Sequence, residues 1–405
     1  MNRRLFDPLS KVSLARCIFH AKAIFFVFSA AISQAQTTSP SPERLPAPRE
    51  VGRLGGETSG MVLFSPDGSK ILTADGSNII IDTMKSVQLW DARNFKQIGD
   101  PLDAPNCPYA QFDHGGKKLL TLSRRINGLV ESRIIEARLW DVATGKPLLP
   151  PIRDGDRPLS CAGISADGSV IATSYHEDAD VRLWDTATGK QTATLHSQAK
   201  VISIQFDPAG STLIVQSDGA IDLWDIPSRK VRATLGDLPL DLSDRLPSIS
   251  ANGRFIATAG AYLAAVYDLA TARKVAALEP GLHLDEVIYG ISVSDDGSHV
   301  AISSVAGGAL MDVSTGKRLF SVADAYDGDP VFSPDGTKVI FHVFHGEAMW
   351  DIPSARPYDL PDDLDCSLVS FSPDGKFMAI HSFDGFTSIR AIEDSRSPAS
   401  DKRQR

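Results

Sequence analysis

The sequence predicts an all-β fold, a closed ring of eight four-stranded sheets with seven sheets as the alternative. Three observations carry it: a recurring tight-turn motif, a recurring Trp-Asp pair behind it, and an even spacing. The turn motif is five residues long and reads apolar, Ser or Asp, variable, polar, Gly. It starts at Phe64, Phe112, Ile164, Phe206, Ile249, Val293, Phe332 and Phe371, which makes eight copies. Those from Phe64, Phe332 and Phe371 read Phe-Ser-Pro-Asp-Gly, and the one from Phe206 reads Phe-Asp-Pro-Ala-Gly. Proline presets φ at the second position of a type I turn and glycine is favoured at the fourth. Each motif therefore joins two short strands, a and b.

The second pattern follows the first. It appears as Trp90-Asp91, Trp140-Asp141, Trp184-Asp185, Trp224-Asp225 and Trp350-Asp351, with Tyr267-Asp268 and Met311-Asp312 as variants; all five Trp residues of the chain are used this way. Turns such as Thr144-Gly145-Lys146, Thr188-Gly189-Lys190 and Thr315-Gly316-Lys317 come next, then another apolar run. The repeating unit is thus four short strands, a to d. Residues 50–391 divided among eight copies give about 43 residues each, whereas seven sheets would leave one complete copy with nothing to pack against. The last copy has no fourth strand of its own, because Glu393–Ser397 is not strand-like. Arg49–Leu54 resembles the d stretch Arg273–Leu278 and is expected to complete the last sheet, closing the ring and removing two exposed edges.

These residues resemble the WD-repeat β-propeller family, whose unit ends its third strand in Trp-Asp and runs about 40 to 45 residues. The resemblance covers residues 50–391 and implies one β-propeller over 49–392, acting as a non-catalytic scaffold for a protein or peptide partner. In that family a His before strand a, a Ser or Thr on strand b and an Asp in the following turn often bond with the Trp. Here only His196 resembles the first, while Thr73, Thr121, Thr173 and Thr258 each fall nine residues after a motif start. Most blades thus lack the full set. Their stability falls chiefly to apolar packing between sheets, worth about 25 cal/mol per Å² buried.

The flanks differ from the repeats. Arg3, Arg4, Lys11, Arg16 and Lys22, with one acidic residue, Asp7, precede an apolar stretch from Ala23 to Ile32, and Ser33, Gln34 and Ala35 follow. That order marks residues 1–35 as an export signal and the chain as secreted or periplasmic. The apolar stretch is too short to span a membrane. Residues 36–48 read as a Pro/Ser-rich linker and 393–405 as a disordered tail. Without residues 1–35 the net charge changes from −9 to −13. So acidic a chain repels phosphate backbones, and no basic strip offsets it, so nucleic acid is not the expected partner. A monomer is expected.

Length variation points to a partner surface. From the motif start to the Trp position the count is 26, 28 and 20 residues in copies one to three, then 18 in the other five. The additions, Asp75–Ser86, Ser123–Glu136 and Tyr175–Asp180, sit between strands b and c of neighbouring blades. Loops on a rigid scaffold commonly carry binding. Arg124, Arg125, His176, Glu177 and Asp178 are the candidate contact residues. Simple hairpin extension is the competing reading, since Asn78–Ile81 and Ile134–Arg138 look strand-forming.

A hydrolase or lyase with its site in the central channel is the alternative function. The nine His residues are scattered and show no metal-ligand spacing, and neither a phosphate loop nor a nucleophile elbow occurs. His342 and His345 would point to opposite faces of a strand. His342 and His381 occupy the same offset in copies seven and eight, where interblade packing is the simpler role. No catalytic residue, metal ligand or cofactor is therefore assigned. Cys17 leaves with the signal; Cys107, Cys161 and Cys366 are expected on strand a of separate blades as free thiols, with one bridge left open.

Overall fold

A computed structural model describes residues 43–392 except 56–60, 75–86, 106, 128–130, 156, 237–245, 261–262, 282–287, 326–327, 344–345, 361–365 and 383–385; it leaves the side chains of 124–127, 131–135, 366–368 and 382 undescribed. The expected export signal and tail, residues 36–42 of the linker, and the Asp75–Ser86 addition lie outside the described residues. Among the described residues every regular element is a strand, and the strands form eight four-stranded antiparallel sheets. The blades span residues 61–102, 109–147, 159–196, 201–234, 248–278, 288–322, 331–357 and 366–391, each an a-b-c-d meander except the last. The eighth takes its outer strand from the chain's start: Arg49–Leu54 pairs antiparallel with Thr387–Ala391. Eight blades close the ring, and the N-terminal strand closes it where expected.

Local chemistry explains the turns. In all eight motifs the glycine N–H donates to the carbonyl three residues earlier, from Gly68 to Ser65 through Gly375 to Ser372. That glycine holds a left-handed φ in every copy, for example +67° at Gly68, which a Cβ disfavours. The Ser side chain adds to the lock: the Ser65 hydroxyl donates to Asp67 at 2.6 Å and accepts the Lys70 N–H at 2.9 Å. At the other pattern, Asp141 Oδ1 accepts the backbone N–H and hydroxyl of Thr144 at 2.8 and 2.7 Å. Asp185, Asp268 and Asp312 repeat this arrangement. The Asp of each pair thus organises the c–d turn.

Packing follows from a sheet that is apolar on both faces and must be covered on both. The buried residues fall into eight clusters, and each joins a blade to its neighbour. The seam between blades eight and one joins Leu54, Ala379 and Ile389 to Val62, Ile71 and Trp90. No seam is left over, which is the physical reason the array closes instead of extending.

Three details differ from expectation. His196 takes no part in a Trp-centred set; it lies on strand d of blade three, exposed, with Nδ1 2.7 Å from Asp180 Oδ1. Cys161 and Cys366 fall on strand a, but Cys107 precedes the strand Tyr109–Phe112 and its thiol meets the Tyr109 carbonyl; Cys161 is a free thiol. The end of the expected linker is packed: Leu45 forms a parallel bridge with Tyr358 on the outer edge of blade seven, and Pro48 is buried. Arg356 holds this segment by donating to the Glu43 carbonyl at 2.7 Å.

Candidate functional site

Antiparallel strand order puts the b–c turns and the d–a connections on one face of the ring, with the a–b and c–d turns on the other. The first face carries the length variation. In blade two, strands b and c run Lys118–Asn127 and Glu131–Asp141, four or five residues longer than the six-residue strands common elsewhere. The addition is therefore a continued hairpin. Arg124 and Arg125 lie on it opposite Ile134 and Arg133, with a bulge after Ser123. Their side chains are not described.

In blade three the addition is a tight turn. Glu177 holds a left-handed φ of +61°, and the Asp178 N–H closes the turn on the Tyr175 carbonyl at 3.0 Å. His176 and Glu177 reach solvent, with Glu177 bonded to Lys200 at 2.5 Å and His176 Nε2 3.5 Å away. Lys200 holds the Glu177 carboxyl below its ordinary range. Asp178 is engaged from within: Arg157 and Arg182 donate to Oδ2 at 3.0 and 3.1 Å. Burial opposes its ionisation, but the Asp180 N–H and the two guanidinium groups outweigh burial and depress its pKa. Those same guanidinium groups stack over the buried Tyr175 ring, at 5.4 and 4.7 Å from its centroid. Of the candidates on this turn, Asp178 braces the rim while His176 and Glu177 face outward.

The Trp positions complete the geometry. Trp90, Trp140 and Trp184 each donate the indole N–H to the strand-b threonine (Thr73, Thr121, Thr173) at 2.9 Å. A family model described as WD domain, G-beta repeat matches residues 189–225, from the c–d turn of blade three to the Trp224-Asp225 pair of blade four. That match and the eight four-stranded blades in a ring together support the WD-repeat propeller family. No curated protein matches the chain.

The propeller's centre contains a cavity of about 420 Å³, lined by Tyr109, Gln111, Gln205, Ser248, Ser292 and Asp329 among others. The residues immediately before the turn motifs are Leu63, Gln111, Gly163, Gln205, Ser248, Ser292, Val331 and Ser370, and Gln111, Gln205, Ser248 and Ser292 line this cavity. None is ionisable. Several are committed to the neighbouring blade: Gln111 Oε1 accepts the Ile164 N–H at 3.1 Å, Ser248 Oγ the Val293 N–H and Ser370 Oγ the Phe64 N–H, both at 3.4 Å. The Ser292 hydroxyl donates to the Pro330 carbonyl in the same sense. These clasps escaped the sequence reading, though they recur at a fixed offset that would have exposed them.

Burial pushes the Cys161 thiol up to about 12, so it stays protonated and is a poor nucleophile. His342 Nδ1 lies 2.7 Å from Glu347 Oε1, both buried on strands b and c of blade seven, and burial raises the Glu347 carboxyl. His381 meets Thr387 at 3.1 Å. Both histidines are packed within their blades. Among the described residues no cluster of three His, Cys, Asp or Glu side chains could hold a metal, and no helix is long and apolar enough to cross a membrane.

Proposed function

We propose that this propeller is an exported, non-catalytic scaffold that binds a protein or peptide through the b–c face of blades one to three, by Arg124, Arg125, His176, Glu177 and Asp178. WD-repeat propellers commonly bind protein partners, which supports the general reading. The observation that carries the finer one is the blade-two hairpin, paired to Asn127 and Glu131. A projecting hairpin on a rigid ring presents its side chains at little ordering cost. Among the described residues that line the central cavity, Asp329 is the one carboxylate.

The test is a variant in which Asn-Gly replaces residues 124–135, restoring a two-residue turn between Ser123 and Glu136. Affinity capture from the exported fraction with quantitative mass spectrometry should recover a partner with the full chain and lose it with the trimmed one. Undiminished capture by the trimmed propeller would remove the hairpin from the binding surface. Export is tested separately by N-terminal sequencing of the mature protein, expected to begin after Ala35.

A further inference from the structure

Strand d is the end strand of each sheet, so its far edge lies on the rim of the ring. In blade seven that edge is covered. The Leu45 N–H donates to the Pro357 carbonyl and the Asp359 N–H to the Leu45 carbonyl, both at 2.8 Å, in a parallel bridge. The Leu45 side chain packs against the cluster that holds Tyr358 and Leu360. Arg356, the first residue of the strand, donates to the Glu43 carbonyl and pairs with the Glu43 carboxylate at 3.2 Å. An open edge, a basic residue and an apolar surface thus hold an extended segment that carries Glu two residues before Leu.

Blades four to six have the same fittings with the edge uncovered. Among the described residues nothing pairs with the far edge of Lys230–Thr234, Arg273–Leu278 or Arg318–Val322. Lys230, Arg273 and Lys317 hold the place of Arg356, across from Asp225, Asp268 and Asp312 as Arg356 is from Asp351. The Lys317 carbonyl accepts the Asp312 N–H at 2.8 Å, so strand alternation turns the Arg318 carbonyl outward, as the Pro357 carbonyl is. One apolar side chain per blade, Val231, Val275 and Leu319, is exposed by 43%, 51% and 46%. The turns and outer strands of these blades, residues 226–234, 269–278 and 313–322, hold seven basic residues and no acidic one, in a chain of net charge −9. Scattered along the sequence, these cations gather on one arc of the rim. Asp225, Asp268 and Asp312 are bonded into their own turns. Lys230, Arg273 and Lys317 are exposed and, among the described residues, in no ion pair.

We propose that the outer strands of blades four to six each take up, as a fifth strand, an extended acidic segment of a partner protein in which Glu or Asp is interspersed with Leu or Val. Main-chain bonds hold such a segment, the cations select its charge, and the exposed apolar side chains give it contacts that exclude water. A lipid headgroup or a nucleic acid would meet the cations but leave the backbone edge unpaired. Cations on an edge strand also guard against edge-to-edge association, and the test separates that role from binding. The proposal rests on the scaffold reading only in requiring a protein partner. It uses the rim instead of the b–c face, so trimming the blade-two hairpin leaves this site untouched.

The test measures fluorescence anisotropy of short labelled peptides with the whole propeller: one of interspersed Glu, Leu and Val, the same peptide with alternate backbone nitrogens methylated, one of Glu with Gly and Ser, and one of Lys with Leu and Val. The first should bind at least about tenfold more tightly than the other three and weaken with salt. Substituting Lys230→Gln, Arg273→Gln and Lys317→Gln together should weaken it about tenfold, as should Val231→Ser, Val275→Ser and Leu319→Ser together. Thermal melts check that each variant folds, and Val231→Thr, Val275→Thr and Leu319→Thr replace the apolar triple if that melts early. The same charge change on the outer strands of blades one to three, Lys96→Gln, Lys146→Gln and Lys190→Gln, should alter affinity by less than about twofold. Equal weakening by that control, or undiminished binding of the methylated peptide, would overturn the proposal. Tighter binding of a DNA duplex or of phosphatidylserine vesicles than of the acidic peptide would assign the cations to phosphate and overturn it too. Should no peptide bind while the Lys230→Gln, Arg273→Gln, Lys317→Gln propeller self-associates, the cations are edge guards and the proposal falls.

Discussion

Blades four and five each keep half of the Trp-Thr bond seen in blades one to three. Trp224 stands across from Leu213, two residues before Val215, the register in which Trp90 meets Ile71 and Thr73. Its indole N–H is consequently buried with no acceptor. In blade five Thr258 has the right place, but Tyr267 occupies the Trp position and the threonine hydroxyl is the orphan. A buried polar atom without a partner costs about 1–3 kcal/mol. Val215→Thr is therefore expected to raise stability by about 1 kcal/mol, and Thr258→Val to raise it by a similar amount. Thr121→Val, which orphans Trp140, should lower it by about 1–3 kcal/mol. Urea unfolding of the three variants checks the set; a Val215→Thr propeller less stable than its parent would show that shape, not hydrogen bonding, governs the site.

At the scale of the element, the N-terminal strand is the decisive piece. Leu54 is 1% exposed and packs with Ile389 in the seam between blades eight and one. The strand is also held from the side, because Arg390 Nη1 donates to the Pro48 carbonyl at 3.1 Å. Leu54→Ala should cost about 2–5 kcal/mol, the range for a fully buried Leu. Deleting residues 49–54 should lower the melting temperature further, since it also strips strand Thr387–Ala391 of its pairing partner. An unchanged melt after the deletion would mean that the ring does not need closing.

This strand was legible in the sequence because Arg49–Leu54 repeats the pattern of Arg273–Leu278, and blade number was legible because turn chemistry is local. The parallel contact of Leu45 with Tyr358 was not, since a Pro- and Ser-rich stretch gives no period to read. The candidate site was legible only as a place: inserted length located the blade-two hairpin and the blade-three turn. What the side chains do there depends on neighbours distant in sequence, as when Arg157 reaches Asp178.

For the whole molecule, repetition makes small local effects add. Asp141, Asp185, Asp225, Asp268 and Asp312 each close a c–d turn by accepting hydrogen bonds from residues two or three positions on, and all five carboxyls lie below their ordinary value. Asp312, bonded by the Ser314 and Thr315 hydroxyls and the Thr315 N–H, is lowered to about 2. A carboxyl whose folded pKa is depressed binds its proton more readily when unfolded. Its contribution is thus fully present above the unfolded pKa and is lost as pH falls through the folded one. For Asp312 that window runs from 3.8 down to about 2. Glu347 acts in the opposite sense, because burial raises its carboxyl and protonation favours its folded state. With five turns against one buried acid, the urea midpoint should hold level from about pH 7 to 5 and decline below about pH 4. Asp312→Asn keeps an acceptor oxygen but cannot titrate, so its decline should be shallower than the parent's over that window. An equally steep decline in the variant would assign acid unfolding to general charge repulsion instead of to the turns.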